Sequence, residues 1–440
     1  MELRCRIIFS LGILTLLLCS CNKKQTTQNN LTDSIVIDRA EYANKLEGFW
    51  LGTCVANWTG LITEMDKIGD IGEIKTGNFY TREDWGKADQ PSIWGEGLPS
   101  NLSPTIDFIL LGPDSIWGAD DDTDIEYIYQ EALLTADSTV LSPEEISAAW
   151  LKHIRAEEEN YLWVSNQRAF DLMWEGVLPP ATSDPINNRE YEMIDAQLTT
   201  EIFGLYAPGR PDLALQMAEL PIQTTARKNS EWISRFYVKM FALAAVVPDN
   251  LSKGEQMMWL AENAKDELPS DAYARKMYDF VLGAYRSGLS WEITRDSIYQ
   301  RYQVEQADGY DLTSRGLYCN ACFAAGINFA ASLVSFFYGQ GELKETIKIG
   351  ALAGWDSDNP TATWGGLIGF MLGRDGVEAA FGKKLSNRYN IHRTRQGFAN
   401  NGVDDFTAMA IKGLRIIDRV VLEAGGIIDQ QENRWLLPQR

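Results

Sequence analysis

Most of the chain carries apolar residues at the 3.6-residue spacing of a helix face, and convincing alternating strand patterns are missing. Residues 41–58 are apolar with this spacing. Ser142-Pro143-Glu144-Glu145 reads as a helix start, with Ser142 as N-cap, Pro143 at the first position and Glu145 three residues after the cap. That helix is expected to continue to about residue 160. Segments 231–247, 271–288 and 323–339 follow the same period, whereas 70–105 and 175–192 are rich in turn residues. No internal repeat interrupts the pattern. The expectation is an all-α fold, a single large helical domain over residues 38–440.

The first residues carry a different pattern. Arg4 and Arg6 precede an apolar run from Ile7 to Leu18, a secretory signal too short for a good membrane span. It ends in Leu18-Cys19-Ser20-Cys21, which resembles a bacterial lipoprotein box. The resemblance implies that residues 1–20 are a signal peptide and that Cys21 is lipidated. It also implies an extracytoplasmic protein held to a bacterial membrane, on a face left open; the alternative is an ordinary signal peptide cut nearby. Residues 22–34 are polar and aperiodic, so 21–37 read as a flexible, lipid-anchored tether.

The formal net charge of −21 excludes a basic surface for nucleic acid and says little about the substrate. Beyond the leader, Cys54, Cys319 and Cys322 form an odd trio, which is no disulfide framework. The Cys-x-x-Cys at 319–322 lies in an apolar, helical-looking segment and reads as buried core thiols. With only His153 and His392 in the chain, a closed zinc site lacks ligands.

Three acidic constellations carry the chemistry. Asp120, Asp121, Asp122 and Asp124 surround Thr123 at a helix start, where Thr123 and Glu126 make a capping-box pattern. Much later, Asp356 and Asp358 flank Ser357, with Asn359 and Pro360 placed to open a helix rich in Gly365, Gly366 and Gly369. Glycines there permit close helix packing. Carboxylates entering an apolar core need compensation, and oxygen-only ligands favour Mg²⁺, Mn²⁺ or Ca²⁺. The third piece is the apolar helix with Gly48, Gly52 and Gly60, expected to end at Glu64, a carboxylate at the edge of hydrophobic sequence.

These three pieces, in this order, resemble the ADP-ribosylglycohydrolase family over about residues 40–425. Leu51-Gly52 to Gly60 and Glu64 match its first helix. Asp120-Asp121-Asp122-Thr123 matches its [S/T]-D-D-T motif, and Gly354-Trp355-Asp356-Ser357-Asp358-Asn359 its late G-G-D-x-D-[T/S] motif. Residues 199–220 resemble its mid-chain helix. The departures are Asp120 for Ser or Thr, Trp355 for the second glycine, Asn359 for Thr and Asn57 for an Asp of the first helix.

The resemblance implies an all-α fold with a dinuclear magnesium site in a cleft, Mn²⁺ being an alternative ion. Its ligands would be Asp120, Asp121, Asp122, Asp356, Asp358 and Asn359. Glu64, Asp121 and Asp122 would be the catalytic carboxylates. The implied reaction is metal-assisted hydrolysis of a glycosidic bond to ribose in ADP-ribosylated or related ribosyl substrates, small or protein-linked. Alternatives are another extracytoplasmic nucleoside or glycoside on the same fold, or a non-catalytic ligand-binding lipoprotein. For a sugar-binding role, Trp117, Trp163 and Trp355 are the stacking candidates. The oligomeric state is left open.

Overall fold

The computed structural model describes residues 34–156 and 159–439. The expected signal peptide, Cys21 and most of the tether lie outside the described residues. Helices dominate the rest, as the apolar spacing predicts. No helix among the described residues is long and apolar enough to cross a membrane.

Among the described residues three small sheets accompany the helices. Ser34–Asp38, partly assigned above to the tether, pairs antiparallel with Arg434–Pro438, which also pairs with Ile427–Asp429. Asp70–Ile71 and Ile74–Lys75 form a short hairpin. Trp117–Gly118 runs parallel to Arg388–Asn390, which pairs antiparallel with Val403–Asp405. None of these strands exceeds five residues, too few for a two-residue period to stand out in the sequence.

Local signals place several helix starts. Asp38 caps Arg39–Gly60, its Oδ1 accepting from Glu41 N at 2.7 Å. Ser142 and Glu145 make the expected reciprocal capping box. That helix, Pro143–His153, stops earlier than expected, because Ile154 is already extended and bridges to Arg395. Thr123 and Glu126 are not a cap. Asp120 caps Asp121–Thr135, and Glu126 Oε1 instead accepts from Ile202 N at 2.9 Å. The late helix begins at Asp358, so Asn359 and Pro360 lie inside its first turn.

The Cys-x-x-Cys segment departs most from its reading. Cys319, Asn320 and Ala321 all have positive φ, and Cys319 and Cys322 are joined by a disulfide. The turned backbone sets their Cα atoms 5.5 Å apart, within the range a disulfide spans. Cys54 is a buried free thiol.

Two helices organise the interior. Arg39–Gly60 and Asp358–Phe381 run antiparallel with their backbones in direct contact. A Cβ at Gly48 would lie 2.3 Å from Gly369 O, and one at Gly52 would lie 2.3 Å from Gly365 O. At the far end, a Cβ at Gly60 would lie 2.4 Å from Asp358 Cα. At these three positions no side chain larger than hydrogen fits between the helices. Around them the Ala325–Gly339 helix, buried except for half-buried Tyr338, brings Phe336 against Trp364, whose indole donates to Ser332 O at 2.8 Å.

Gly52→Ala is expected to lower unfolding stability by about 1–3 kcal/mol through overpacking. Gly283→Ala, on the Tyr273–Arg286 helix where an added Cβ meets nothing within 4 Å, is expected to raise it by about 0.4–1 kcal/mol. Urea unfolding of the two variants reads the contrast; changes of the same sign and size would contradict the close packing.

Candidate active site

The antiparallel pair puts the end of one helix beside the start of the other. Asn57, one turn before Gly60, directs its amide Nδ2 to Asp122 Oδ2 at 2.9 Å. Asp120 Oδ2 and Asp358 Oδ2 lie 3.3 Å and 3.5 Å from the same nitrogen. Asn359 Nδ2 donates to Asp122 Oδ1 at 2.7 Å. Two asparagine amides therefore hold carboxylates from both acidic motifs together.

Backbone pairing brings in the third piece. The Arg39–Gly60 helix ends at Gly60, so Glu64 sits in the turn that follows rather than on the helix. Met65 N donates to Trp355 O and Trp355 N donates to Lys67 O, both at 2.8 Å, which fixes the Glu64 turn against the Trp355–Asp358 loop. Trp355 occupies the place of a glycine in the family pattern and has φ 58. An L-residue there costs of order 1–3 kcal/mol. Its indole is fully buried and donates to Gln303 Oε1 at 2.7 Å, which holds the residue in place.

The carboxylates gather in two groups, Glu64 with Asp356 and Asp358, and Asp120 with Asp121 and Asp122. Within each group one oxygen from every residue lies within 4.8 Å of the others. Asp122, Asp356 and Asp358 are buried; Glu64, Asp120 and Asp121 are half-buried. Burial, then the charges of neighbouring aspartates, pushes Glu64, Asp121, Asp122 and Asp356 well above the ordinary carboxyl range. Burial followed by the charge of Asp120 raises Asp358 to about 7.

This donor set fits hard divalent cations. All donors are oxygens, they form two compact groups, and the buried Oδ1 atoms of Asp358 and Asn359 have no hydrogen-bond partner within the protein. All seven residues named from the sequence thus lie at one place, and Asn57, noted there only as a departure, joins them.

Asp124, Arg395 and His392 also line the cleft and were given no site role from the sequence. Asp124, on the same first turn, is fully buried and paired with Arg395, whose Nε lies 2.8 Å from Asp124 Oδ2. Burial outweighs that partner and pushes Asp124 up to about 6. Arg395 also donates to Asn160 O at 2.6 Å. His392 lines the same cleft and is pushed down to about 4, first by burial and then by Arg395 and Arg393. The DDDTD run contains Asp124, so its signal was present; nothing near residue 392 or 395 in sequence marks them.

The cleft holds about 290 Å³. Its floor is the two acidic groups, and one wall is aromatic: Trp94, Trp163 and Phe323, with ring centroids 5.7–6.0 Å apart and planes within 20°. Of the three tryptophans singled out for sugar contact, only Trp163 lines this cleft; Trp117 and Trp355 have no exposed surface and belong to the core. The wall came from residues 94 and 323, more than two hundred apart in sequence, so no local pattern announced it.

The sequence profile of a family described as ADP-ribosylglycohydrolase matches residues 38–409. No curated protein matches the chain. A solved structure described as an ADP-ribosylglycohydrolase-related protein complex is 16% identical, with a TM-score of 0.47, over 86% of this chain and 99% of that one.

The site carboxyls titrate higher in the fold than in the unfolded chain. Stability from holding their protons is therefore fully present at low pH and is lost as pH rises through about 7, where Asp358 titrates. A bound divalent cation would displace those protons. Chelator-treated protein is expected to lose Tm between about pH 5.5 and about pH 8, with added Mg²⁺ or Mn²⁺ raising Tm more at the higher pH. The Asp122→Asn, Asp358→Asn double variant should lose that cation increment. An increment independent of pH, or retained in the double variant, would contradict the site.

Proposed function

The chain belongs to the ADP-ribosylglycohydrolase family, a family of metal-dependent glycosyl hydrolases, and on that premise we propose that it is a Mg²⁺-dependent enzyme cleaving a glycosidic bond to ribose. The substrates are ADP-ribosylated or related ribosyl compounds. The observation that carries this reading is the pair of three-carboxylate groups on the floor of one cleft, with half-buried Glu64 in one of them.

Asp120, Asp121, Asp122, Asp356, Asp358 and Asn359 would hold two cations. Bound there, the cations supply Lewis acidity, offsetting the carboxylate charge, orienting ribose hydroxyls and acidifying a water. The protein groups do the rest. Burial, then the Asp358 charge, raises Glu64 above the ordinary carboxyl range and favours its protonated form, which suits it to deliver a proton to the departing group. Asp121, half-buried and lining the cleft, would be ionised as a cation ligand and would then take a proton from the attacking water. Asn57 and Asn359 hold Asp122 in position. The carboxylate-rich floor stabilises the positive charge that develops on the sugar ring.

The place of action is proposed to be extracytoplasmic, by way of a lipid on Cys21. The Cys319–Cys322 disulfide supports an oxidising compartment. The same bond favours, as a second reading, ribosides or other glycosides met outside the cell over ADP-ribosylated proteins.

The Asp121→Ala, Asp358→Ala double variant is expected to abolish cation-dependent release of ribose or ADP-ribose from ribosyl substrates, with circular dichroism confirming the fold. Unchanged turnover would end the assignment. Glu64→Gln should lower kcat by about 10²–10⁴. It should also remove the fall in rate expected of wild type as pH rises through the Glu64 titration. An unaltered pH profile would exclude Glu64 as the acid.

A further inference from the structure

The turn closed by Cys319 and Cys322 touches both the wall and the floor of the cleft. Tyr318, just before Cys319, accepts through its hydroxyl from Trp94 Nε1 at 2.8 Å. Phe323, just after Cys322, stacks on Trp94 and Trp163, and the Tyr318 ring lies 6.1 Å from it with planes 15° apart. The disulfide therefore ties the wall residue Phe323 to the ring that flanks it.

The connection to the floor runs through Asn328, which is fully buried. Its Nδ2 donates to Cys322 O at 2.9 Å and to Ala324 O at 3.0 Å, while its Oδ1 accepts from Asp356 N at 3.2 Å. Asp356 belongs to one of the two three-carboxylate groups. On the opposite side, Ile194 N donates to Phe323 O at 2.9 Å, and Ile194 lines the cleft. A displacement of Cys322 is thus passed to a proposed cation ligand and to the cleft lining, because packed interiors transmit strain.

The backbone of this turn needs holding. Cys319, Asn320 and Ala321 have φ 43, 56 and 62, three consecutive non-glycine residues in the left-handed region. Such conformations persist only where their surroundings over-determine them. Asn320 Nδ2 donates to Ile71 O at 3.2 Å, and the disulfide closes the turn covalently. Cys322 is fully buried, whereas Cys319 is half-buried and borders a second cavity of about 680 Å³. The bond is therefore approachable from the Cys319 side.

We infer that the Cys319–Cys322 disulfide is a positioning element of the active site, and that its reduction by a dithiol weakens cation binding and turnover, so that full activity requires the oxidised form. The turnover part rests on the ribosyl-hydrolase reading; the cation part rests on the carboxylate site alone. The exchange balances as follows. One thiolate of the dithiol bonds to the Cys319 sulfur, and Cys322 leaves as a thiolate and takes a proton. The second thiolate of the reagent then closes the reagent's own disulfide, and Cys319 leaves and takes a proton in turn.

The test compares oxidised protein, dithiothreitol-reduced protein and the Cys319→Ser, Cys322→Ser double variant. Amide hydrogen exchange, Mg²⁺ calorimetry and turnover of ADP-ribosyl-arginine and p-nitrophenyl ribofuranoside are measured on each, with circular dichroism and Tm confirming the fold. Reduction is expected to speed exchange at residues 318–325 and at Asp356, to weaken Mg²⁺ binding about tenfold and to lower kcat/KM by about tenfold or more, all reversed on reoxidation. The double variant should match the reduced protein and ignore dithiothreitol. Oxidised Asn328→Ala should already bind Mg²⁺ more weakly and lose little more on reduction, since both changes break the same connection. A folded, fully reduced wild type with unchanged Mg²⁺ affinity overturns the inference, and so does a reduced protein that simply unfolds at the assay temperature. If oxidised protein binds Mg²⁺ but cleaves neither substrate, the ribosyl-hydrolase reading fails while the Mg²⁺ and exchange measurements still decide this inference. Oxidised protein that binds no Mg²⁺ removes both.

Discussion

The backbone contact between Arg39–Gly60 and Asp358–Phe381 sets the position of everything else in the site. Glycines at 48, 52, 60, 365 and 369 let two long helices approach without intervening side chains. Because the helices are antiparallel, the last turn of one lies against the first turn of the other. Asn57 and Asp358 therefore meet, although 301 residues separate them. A few tenths of an ångström of separation here would be transmitted directly to the carboxylates, since packed interiors relax little.

That arrangement sets two opposed demands against each other. Buried carboxylates at this spacing repel one another, and burial by itself disfavours their charged forms. The protein offsets part of this with amide donors from Asn57 and Asn359 and with backbone amides at helix starts, where Asp122 N donates to Asp120 Oδ1 at 3.1 Å. The remainder appears as raised carboxyl pKa values and as the unpartnered Oδ1 atoms of Asp358 and Asn359. Trp355 adds backbone strain at the same place. Concentrated acid, orphaned oxygens and strain in one small volume are features that fit a cation-binding site.

Much of this was legible in order along the chain. Helical spacing, the Ser142 cap, the glycine-rich helices and the two aspartate motifs are short-range patterns, and short-range patterns survive in a single sequence. The misreadings have a common cause. Thr123-x-x-Glu126 has the letters of a capping box, but the buried carboxylate of Glu126 serves a backbone amide from residue 202. The Cys-x-x-Cys segment is apolar enough for a helix, yet three consecutive left-handed residues turn it into a disulfide-closed loop. Trp117 and Trp355 were as eligible for sugar contact as Trp163 until burial separated them.

By itself, then, the sequence determined the helical class, the acidic chemistry and the donors available to a metal, because residue type and local spacing suffice for these. Tertiary structure alone decided which donors meet, that Asn57 binds across both motifs, that Arg395 is committed to Asp124, and that Trp94, Trp163 and Phe323 form one wall. These depend on contacts between segments far apart in the chain. Such contacts follow from how whole helices pack, and no local window of residues encodes them.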